Sequence, residues 1–222
     1  LSGANLDMKK IADALNKGKI KGIALLAGTN NVKFTQDLPF VTLAQEFLKN
    51  DVLCLSAGDA GVSLAKYGYL NPAQTGKHCG KAVAELQKAA GKNLPAVIDL
   101  GLAENGGMIE FLLALSAAAK KPLKELPILA CFAEANRTAE AGEALSLVAM
   151  GVTTYFWPCL PVTGSPKTVE ALSKLCKAKF GAAMIVHMDK KMEPLARAGM
   201  ILMFFNRVAG PSLKDHPWTD WK

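Results

Sequence analysis

Glycine and polar residues follow the first apolar run of the chain, and their types suit a ligand clamp. The segment Gly28-Thr29-Asn30-Asn31 comes directly after the apolar run that begins at Gly22. Small residues let a backbone approach a ligand, and the polar side chains beside them would form a clamp or an anion nest. The same residues fit an ordinary turn before a helix, because Asn tolerates left-handed geometry. Spacing alone leaves both interpretations open.

Carboxylates mark two further glycine-containing loops. Asp59 follows the second apolar run, where it either caps a helix starting near Val62 or faces a ligand. The third loop, Asp99–Gly107, holds Glu104 and Asn105 among three glycines. Paired carboxylates carry out acid–base work or hold a hard metal, whereas a helix cap needs the same residue types. Neither GxGxxG nor GxxxxGK[ST] follows a predicted strand, which argues against dinucleotide and P-loop sites.

The cysteines and histidines do not form a recognisable metal motif. The five cysteines contain no CxxC pair, so a zinc ribbon or a disulfide framework is not indicated and a reducing, cytoplasmic compartment is expected. Cys54 and Cys131 lie inside apolar runs and read as core residues. Cys159 follows Pro158 at the end of a predicted strand, where its thiolate would reach a site. The sequence identifies no base or cation beside it, which favours a structural role. The three histidines are too scattered to define a metal triad.

These loops require a set of strands whose ends meet. Six continuous apolar runs predict buried parallel strands at Gly22–Ala27, Val52–Ser56, Ala96–Leu100, Pro127–Phe132, Val152–Trp157 and Ala182–His187. Helical spacing predicts helices around Met8–Leu15, Val41–Leu48, Val62–Tyr67, Lys81–Ala90, Met108–Ala119, Thr138–Met150, Thr168–Lys177 and Met188–Ala198. Right-handed crossovers then favour an α/β fold with a doubly wound, mostly parallel, Rossmann-like sheet and helices on both faces. Ligands of such sheets lie at the carboxyl ends of the strands.

Length and composition indicate one domain. Half of the 222 residues are hydrophobic, which suffices for one core. We predict a single domain over residues 1–205 and a tail over 206–222 that docks through its tryptophans or meets a partner. The longest apolar stretch, Ala198–Phe205, is too short to cross a bilayer. The chain opens at Leu1 without a signal-peptide pattern, so we expect a piece of a longer or processed polypeptide.

The net charge of +7 is spread over predicted helix surfaces. Lysines such as Lys9, Lys17 and Lys21 lie between acidic residues, and no aromatic–basic motif accompanies them. We therefore predict an ordinary solvated surface and no nucleic-acid partner.

Taken together, the loops resemble a known family. The chain is similar to the last, Rossmann-like domain of anaerobic nickel–iron–sulfur carbon monoxide dehydrogenases, whose architecture hybrid-cluster proteins share. The resemblance runs from about Lys19 to about Ala183. It is carried by the segments Lys21–Asp37, Asp51–Leu70, Asp99–Ile109, Glu125–Pro127 and Pro161–Pro166.

The chain departs from this family at the cluster ligands. In the family the three loops read Gly-Cys-Asn-Asn, Thr-Gly-Cys-Ala and Gly-Ser-Cys-x-Asp-Asn, and each cysteine binds the cluster. Here Thr29 and Asp59 occupy the first two positions, and the third motif is shortened. The family's catalytic lysine is also missing from Glu134–Gly142, where Arg137 is the only cation. Hydroxyl groups do not replace soft thiolates, so we do not expect this chain alone to bind the cluster.

The resemblance implies a frame that still encloses a pocket. Its oxygen- and nitrogen-rich lining would suit a hard metal or a small polar molecule, and comprises Asn30, Asn31, Asp59, Glu104 and Arg137. The identity of the cofactor is open, as is catalysis by the parent protein. We expect the C-terminal domain of a carbon monoxide dehydrogenase-like protein of anaerobic one-carbon metabolism. The alternatives are a non-catalytic domain binding a small anion, a nucleotide or a partner subunit, and a structural role.

Two further expectations concern the surroundings of this chain. Its partner would be the remainder of a longer chain or a partner subunit, within an oligomer. The ends of the first three strands should lie side by side, bringing Thr29, Asp59 and Glu104 towards one crevice.

Overall fold

Six parallel strands form the centre of the protein. The computed structural model describes residues 6–102, 106–135, 137–159, 161 and 163–208. Within this part of the chain the strand order is β3-β2-β1-β4-β5-β6, and every neighbouring pair is parallel. This order confirms the predicted doubly wound fold. The strands are β1 Gly22–Gly28, β2 Val52–Ser56, β3 Val97–Asp99, β4 Ile128–Glu134, β5 Thr153–Phe156 and β6 Met184–Val186.

Helices connect the strands and cover the sheet. The right-handed rule for parallel crossovers places α2–α5 on one face and α6–α8 on the other. Helix α9 packs against α2, and α1 packs against α5 and α6. The helices are α1 Met8–Asn16, α2 Leu38–Lys49, α3 Asp59–Lys66, α4 Thr75–His78, α5 Lys81–Ala90, α6 Gly107–Ala119, α7 Thr138–Ala149, α8 Pro166–Phe180 and α9 Pro194–Val208.

The core explains why the strands read as continuous apolar runs. Every residue of β1, β2 and β4 is buried, because helices cover both faces of these central strands. Among the described residues, no helix combines the length and apolar character that crossing a membrane requires.

The order in which the strands are added to the sheet reverses between β1 and β4. The first three strands extend to one side of β1 and the last three to the other, so this junction is the topological switch point. The register between the two strands shifts at Gly28, which has a φ of 111°. A Cβ atom at Gly28 would overlap the carbonyl oxygen of Glu134. The position therefore requires glycine, because the ends of β1 and β4 approach each other too closely for a side chain.

One predicted helix is wrong at its start. The sequence pattern predicted a helix over Met188–Ala198, whereas α9 begins at Pro194 and runs to Val208. Proline has no backbone N–H to donate and fits the first turn of a helix, so it begins this helix instead of lying inside it. The preceding residues form a turn in which the Lys191 N–H donates to Asp189 Oδ1 over 2.8 Å.

Candidate functional site

A cleft opens at the carboxyl ends of β1, β4 and β5. Its volume is about 260 Å³, and it lies at the switch point of the sheet, where ligands of doubly wound folds bind. The described lining residues are Asn31, Lys33, Phe34, Ala135, Arg137, Thr138, Phe156, Pro158, Cys159, Pro161 and Lys190.

The charged groups of this cleft are cationic. Lys33, Arg137 and Lys190 line it, and none of its described lining residues is acidic. Arg137 Nε lies 3.6 Å from Oε1 of the buried Glu140, which offsets part of its charge. Lys33 and Lys190 are exposed and form no ion pair with any residue in the described part of the chain. The cleft therefore favours an anion.

A buried carboxyl group holds the first loop against the cleft. Glu134, the last residue of β4, is fully buried; its Oε1 accepts the Asn31 N–H over 2.6 Å, and its carbonyl oxygen accepts the Thr29 N–H over 2.9 Å. Oε2 of Glu134 and the buried hydroxyl of Thr29 find no hydrogen-bond partner among the described residues. Burial raises the pKa of Glu134 to about 7, against the opposing effects of the Asn31 hydrogen bond and the Arg197 charge.

A second polar group closes the loop between β1 and α2. The Asn30 amide donates to Asp37 Oδ1 over 2.9 Å, and the Asp37 N–H returns a bond of 2.8 Å to Asn30 Oδ1. Ser63 and Lys66 on α3 also donate to the Asp37 carboxylate. Burial acts to raise the pKa of Asp37, but the hydrogen bonds from Ser63, Lys66 and Asn30 hold it below its ordinary value. This clamp fixes the loop that supplies Asn31 and Lys33 to the cleft.

Aromatic packing supports the wall formed by β5. Trp157 contacts Phe34 at a ring-centroid distance of 4.3 Å, and the Arg197 guanidinium lies 3.7 Å from the centroid of the Trp157 ring. Arg197 is only 3% exposed and donates to the Ala133 carbonyl oxygen over 3.4 Å. Its charge is thus stacked on the indole and hydrogen-bonded behind the cleft. The segment that carries Cys159 starts from this packed wall.

The structure brings three of the predicted site residues together. Asn31, Arg137 and Cys159 all line the cleft. Thr29 and Asn30 lie in the same loop but not among the lining residues, and the Asn30 amide is engaged by Asp37 and Ser63. Two other predicted site residues, Glu104 and Asn105, fall outside the described residues.

Asp59 does not occupy the N-cap position that one interpretation of the sequence predicted for it. Helix α3 begins at Asp59 itself, and Gly58, with a φ of 64°, is the N-cap, so the prediction of a cap before a helix near Val62 is wrong. The helix starts early because Gly61 allows its first turn to lie against the Asp99 carboxylate, which a Cβ atom would overlap. Asp59 is exposed and does not line the cleft; its role as a ligand stays a prediction.

The expected alignment of the first three strand ends is confirmed by the strand order. Leu26 of β1 pairs with Ser56 of β2, which pairs with Asp99 of β3. The Ser56 hydroxyl donates to Asp99 Oδ1 over 2.7 Å, and the Gly58 N–H donates to the Gly101 carbonyl oxygen over 2.9 Å. The second and third loops are therefore joined directly.

Sequence reasoning missed the buried groups that position the site. Glu134 is an acid at the end of an otherwise apolar strand, which was a readable signal. Lys33 ends the loop after the first strand that the strand-end rule had selected, and Asp37 was placed only within a resembling segment. Lys190 and Arg197 gave no local signal, because their positions in the site depend on the strand order.

A family model and similar known proteins agree on one family for this chain. The model of the Prismane/CO dehydrogenase family matches residues 3–191. Carbon monoxide dehydrogenase 2 of Carboxydothermus hydrogenoformans is 31% identical over an alignment 223 residues long, which covers 97% of this chain and 34% of that protein. Carbon monoxide dehydrogenase 1 of the same organism is 30% identical over 214 residues, 93% of this chain and 33% of that protein.

Solved structures agree with these sequence comparisons. Carbon monoxide dehydrogenase IV from Carboxydothermus hydrogenoformans matches with a TM-score of 0.81 and 27% identity, over 91% of this chain and 32% of that one. A structure of the alpha subunits of acetyl-CoA synthase/carbon monoxide dehydrogenase matches with the same score and identity, over 91% of this chain and 30% of that one. The chain spans about a third of the length of the relatives that it matches.

Proposed function

The chain belongs to the Prismane/CO dehydrogenase family, and we propose that its switch-point cleft binds a small anionic ligand within a carbon monoxide dehydrogenase-like parent protein. The observation that carries this proposal is the charge of the cleft. Three cationic side chains line about 260 Å³ of space without a described acidic neighbour in the lining. Of the two ligands that the sequence left open, a hard metal and a small polar molecule, this charge favours the second.

The nickel–iron–sulfur cluster that the family resemblance implies does not fit the donor set of this chain. Among the described lining residues, Cys159 is the only thiol, and Thr29 and Asp59 stand where the resembling loops have cysteines. Within the described residues, no group of three or more His, Cys, Asp and Glu side chains is placed to hold a metal. Iron–sulfur clusters require several thiolates, so we assign no step of a cluster reaction to these residues.

The residues of the cleft divide the work of holding an anion. Lys33 and Lys190 supply charge from the segments that follow β1 and β6, and Arg137 supplies a planar donor group at the start of α7. Glu134 lies next to the lining residue Ala135, and burial raises its pKa to about 7. A proton on Glu134 preserves the positive potential of the cleft, so the binding of an anion of constant charge should weaken as the pH rises through about 7.

Calorimetric titration with inorganic phosphate at low ionic strength tests this function. We expect saturable binding that falls about tenfold or more in Arg137→Ala and in Lys190→Ala, because each removes a cation from the cleft. Lys88→Ala, on the exposed face of α5, is the matched control and should bind as the unchanged chain does. Equal affinities in all four proteins would contradict the proposal.

The greater length of the relatives bears on what this domain is attached to. Since the chain spans about a third of their length, we propose that it works beside the remainder of a longer chain or a partner subunit, in an oligomer. Exposed apolar side chains near the strand ends, Val32, Val62 and Leu102, support such a contact. Five unpaired cysteines support a reducing, cytoplasmic compartment. Light scattering of the parent protein would measure its oligomeric state, and a monomer would contradict this part.

A further inference from the structure

The cationic cleft contains a thiol that reversible anion binding does not use. Cys159 lies three residues after the end of β5, is exposed, and lines the same cavity as Lys33, Arg137 and Lys190. No electropositive partner of Cys159 is evident from the sequence, whereas in the folded chain three cations line the same cavity. A thiol attacks as its thiolate, and an exposed thiol beside cationic side chains is open to an anionic reagent.

The other cysteines lack such an environment. Cys54, Cys131 and Cys176 are buried, and Cys79 is half-buried with its thiol 3.3 Å from Gln87 Oε1. Burial raises the pKa of Cys79 to about 12 and that of Cys131 further. Of the five cysteines, Cys159 alone is exposed.

We propose that the cleft is a site of covalent modification, in which an anionic low-molecular-weight disulfide forms a mixed disulfide with Cys159. The Cys159 thiolate attacks one sulfur of the disulfide, a new S–S bond forms, and the original S–S bond breaks. The second half of the reagent leaves as a thiolate and takes up a proton. The reagent's own disulfide is reduced as the protein thiol is oxidised, so the exchange needs no further oxidant.

The cleft determines the charge of the reagent. Lys33, Arg137 and Lys190 attract an anionic disulfide and raise its local concentration, while they repel a cationic one. The volume of about 260 Å³ accommodates the half of a small reagent that remains attached. The adduct would then occupy the proposed anion site. This inference rests on the cationic character of the proposed anion site, and it adds a covalent outcome at the same place.

Three alkyl disulfides of different charge test the inference. The folded chain is treated with 3,3′-dithiodipropionate, 2-hydroxyethyl disulfide or cystamine, which are anionic, neutral and cationic. Each rate is divided by that of a synthetic peptide of residues 156–163, and the modified cysteine is located by peptide mass mapping. We expect this normalised rate at Cys159 to be about tenfold or more higher for the anionic reagent than for cystamine, as electrostatic steering produces. This preference should disappear in 1 M KCl.

Matched variants separate the cleft from the bulk charge of the protein. Arg137→Gln and Lys190→Gln should each reduce the charge preference, whereas Lys88→Gln should leave it unchanged. Cys159→Ser should abolish the adduct, and Cys79→Ser should retain it. The inference would be overturned by equal normalised rates with the three reagents, by the lack of any adduct, or by an adduct on another cysteine.

The outcome is distinguishable from that of the phosphate titration. Phosphate binding without charge-selective thiolation would leave the anion site standing and refute the thiolation. Charge-selective thiolation without phosphate binding would refute only the reversible site.

Discussion

Glu134, at the end of β4, binds the loop that follows β1, at the point where the strand order reverses. Its carbonyl oxygen and one carboxyl oxygen accept the N–H groups of Thr29 and Asn31, and the side chain is completely buried. A buried carboxylate without a full set of donors is costly, so the protonated form is favoured. The ionisation of this one group therefore connects stability to the charge of the cleft.

Replacing Glu134 by glutamine should change how stability depends on pH. Burial holds the pKa of Glu134 at about 7, above the value of 4.5 for an exposed glutamate. Between these values the folded chain keeps a proton that the unfolded chain has lost, so this group lowers stability as pH rises from 4.5 to about 7. Glutamine does not titrate and can still accept the Asn31 N–H. Relative to the unchanged chain, Glu134→Gln should gain roughly 2–4 kcal/mol over this range.

Urea unfolding at pH 5, 6, 7 and 8 measures this difference. Glu110→Gln, at an exposed position of α6, serves as the control and should follow the unchanged chain at every pH. Parallel stability profiles for Glu134→Gln and the unchanged chain would show that Glu134 is ionised throughout and contradict the assignment.

Single residues of the site were predictable where their own position is the signal. Asn31, Arg137 and Cys159 all follow predicted strands, so the rule that ligands bind at strand ends was enough to select them. Asp37 was not selected, because its role arises from a tertiary contact with Ser63 and Lys66 on another helix. A sequence pattern does not show which residues of different elements come into contact.

At the scale of elements, Gly28 allows the ends of β1 and β4 to approach each other closely. Gly28→Ala should destabilise the chain by roughly 2–4 kcal/mol, because it combines a positive φ with an overlap against the Glu134 carbonyl oxygen. Gly18→Ala is the matched control: its φ is also positive, at 63°, but a Cβ atom there meets nothing within 4 Å. That variant should lose only about 1 kcal/mol. Equal losses in the two variants, measured by urea unfolding, would refute the steric role of Gly28.

The elements themselves were largely readable from the sequence. Helix α5 and strand β2 have the predicted bounds, because their apolar spacing is strong and turn residues flank them. Helix α3 begins earlier than predicted and α9 later, since glycine and proline at their starts override the apolar periodicity. The cleft was not readable in the same way, as it depends on the non-consecutive pairing of β1 with β4.

At the scale of the whole molecule, α9 is part of the core although the family match ends before it. The match ends at residue 191, and α9 begins at Pro194. Phe205 is fully buried and meets Phe47 of α2 edge-on at 5.8 Å. Towards the other end of the helix, Arg197 stacks on Trp157 behind the cleft. Helix α9 thus supports both the sheet and the wall that bears Cys159.

A chain shortened to residues 1–191 should therefore fail to fold cooperatively, since it would leave the surfaces around Phe47 and Trp157 uncovered. Phe205→Ala tests the same packing in a chain of full length and should lower the free energy of unfolding by roughly 3–5 kcal/mol. Met203→Ala is its control on the same helix, because Met203 is 45% exposed and should lose less than about 1 kcal/mol. Circular dichroism during urea unfolding measures all three. A shortened chain that unfolds at the same urea concentration as the full chain would show that the domain ends before α9.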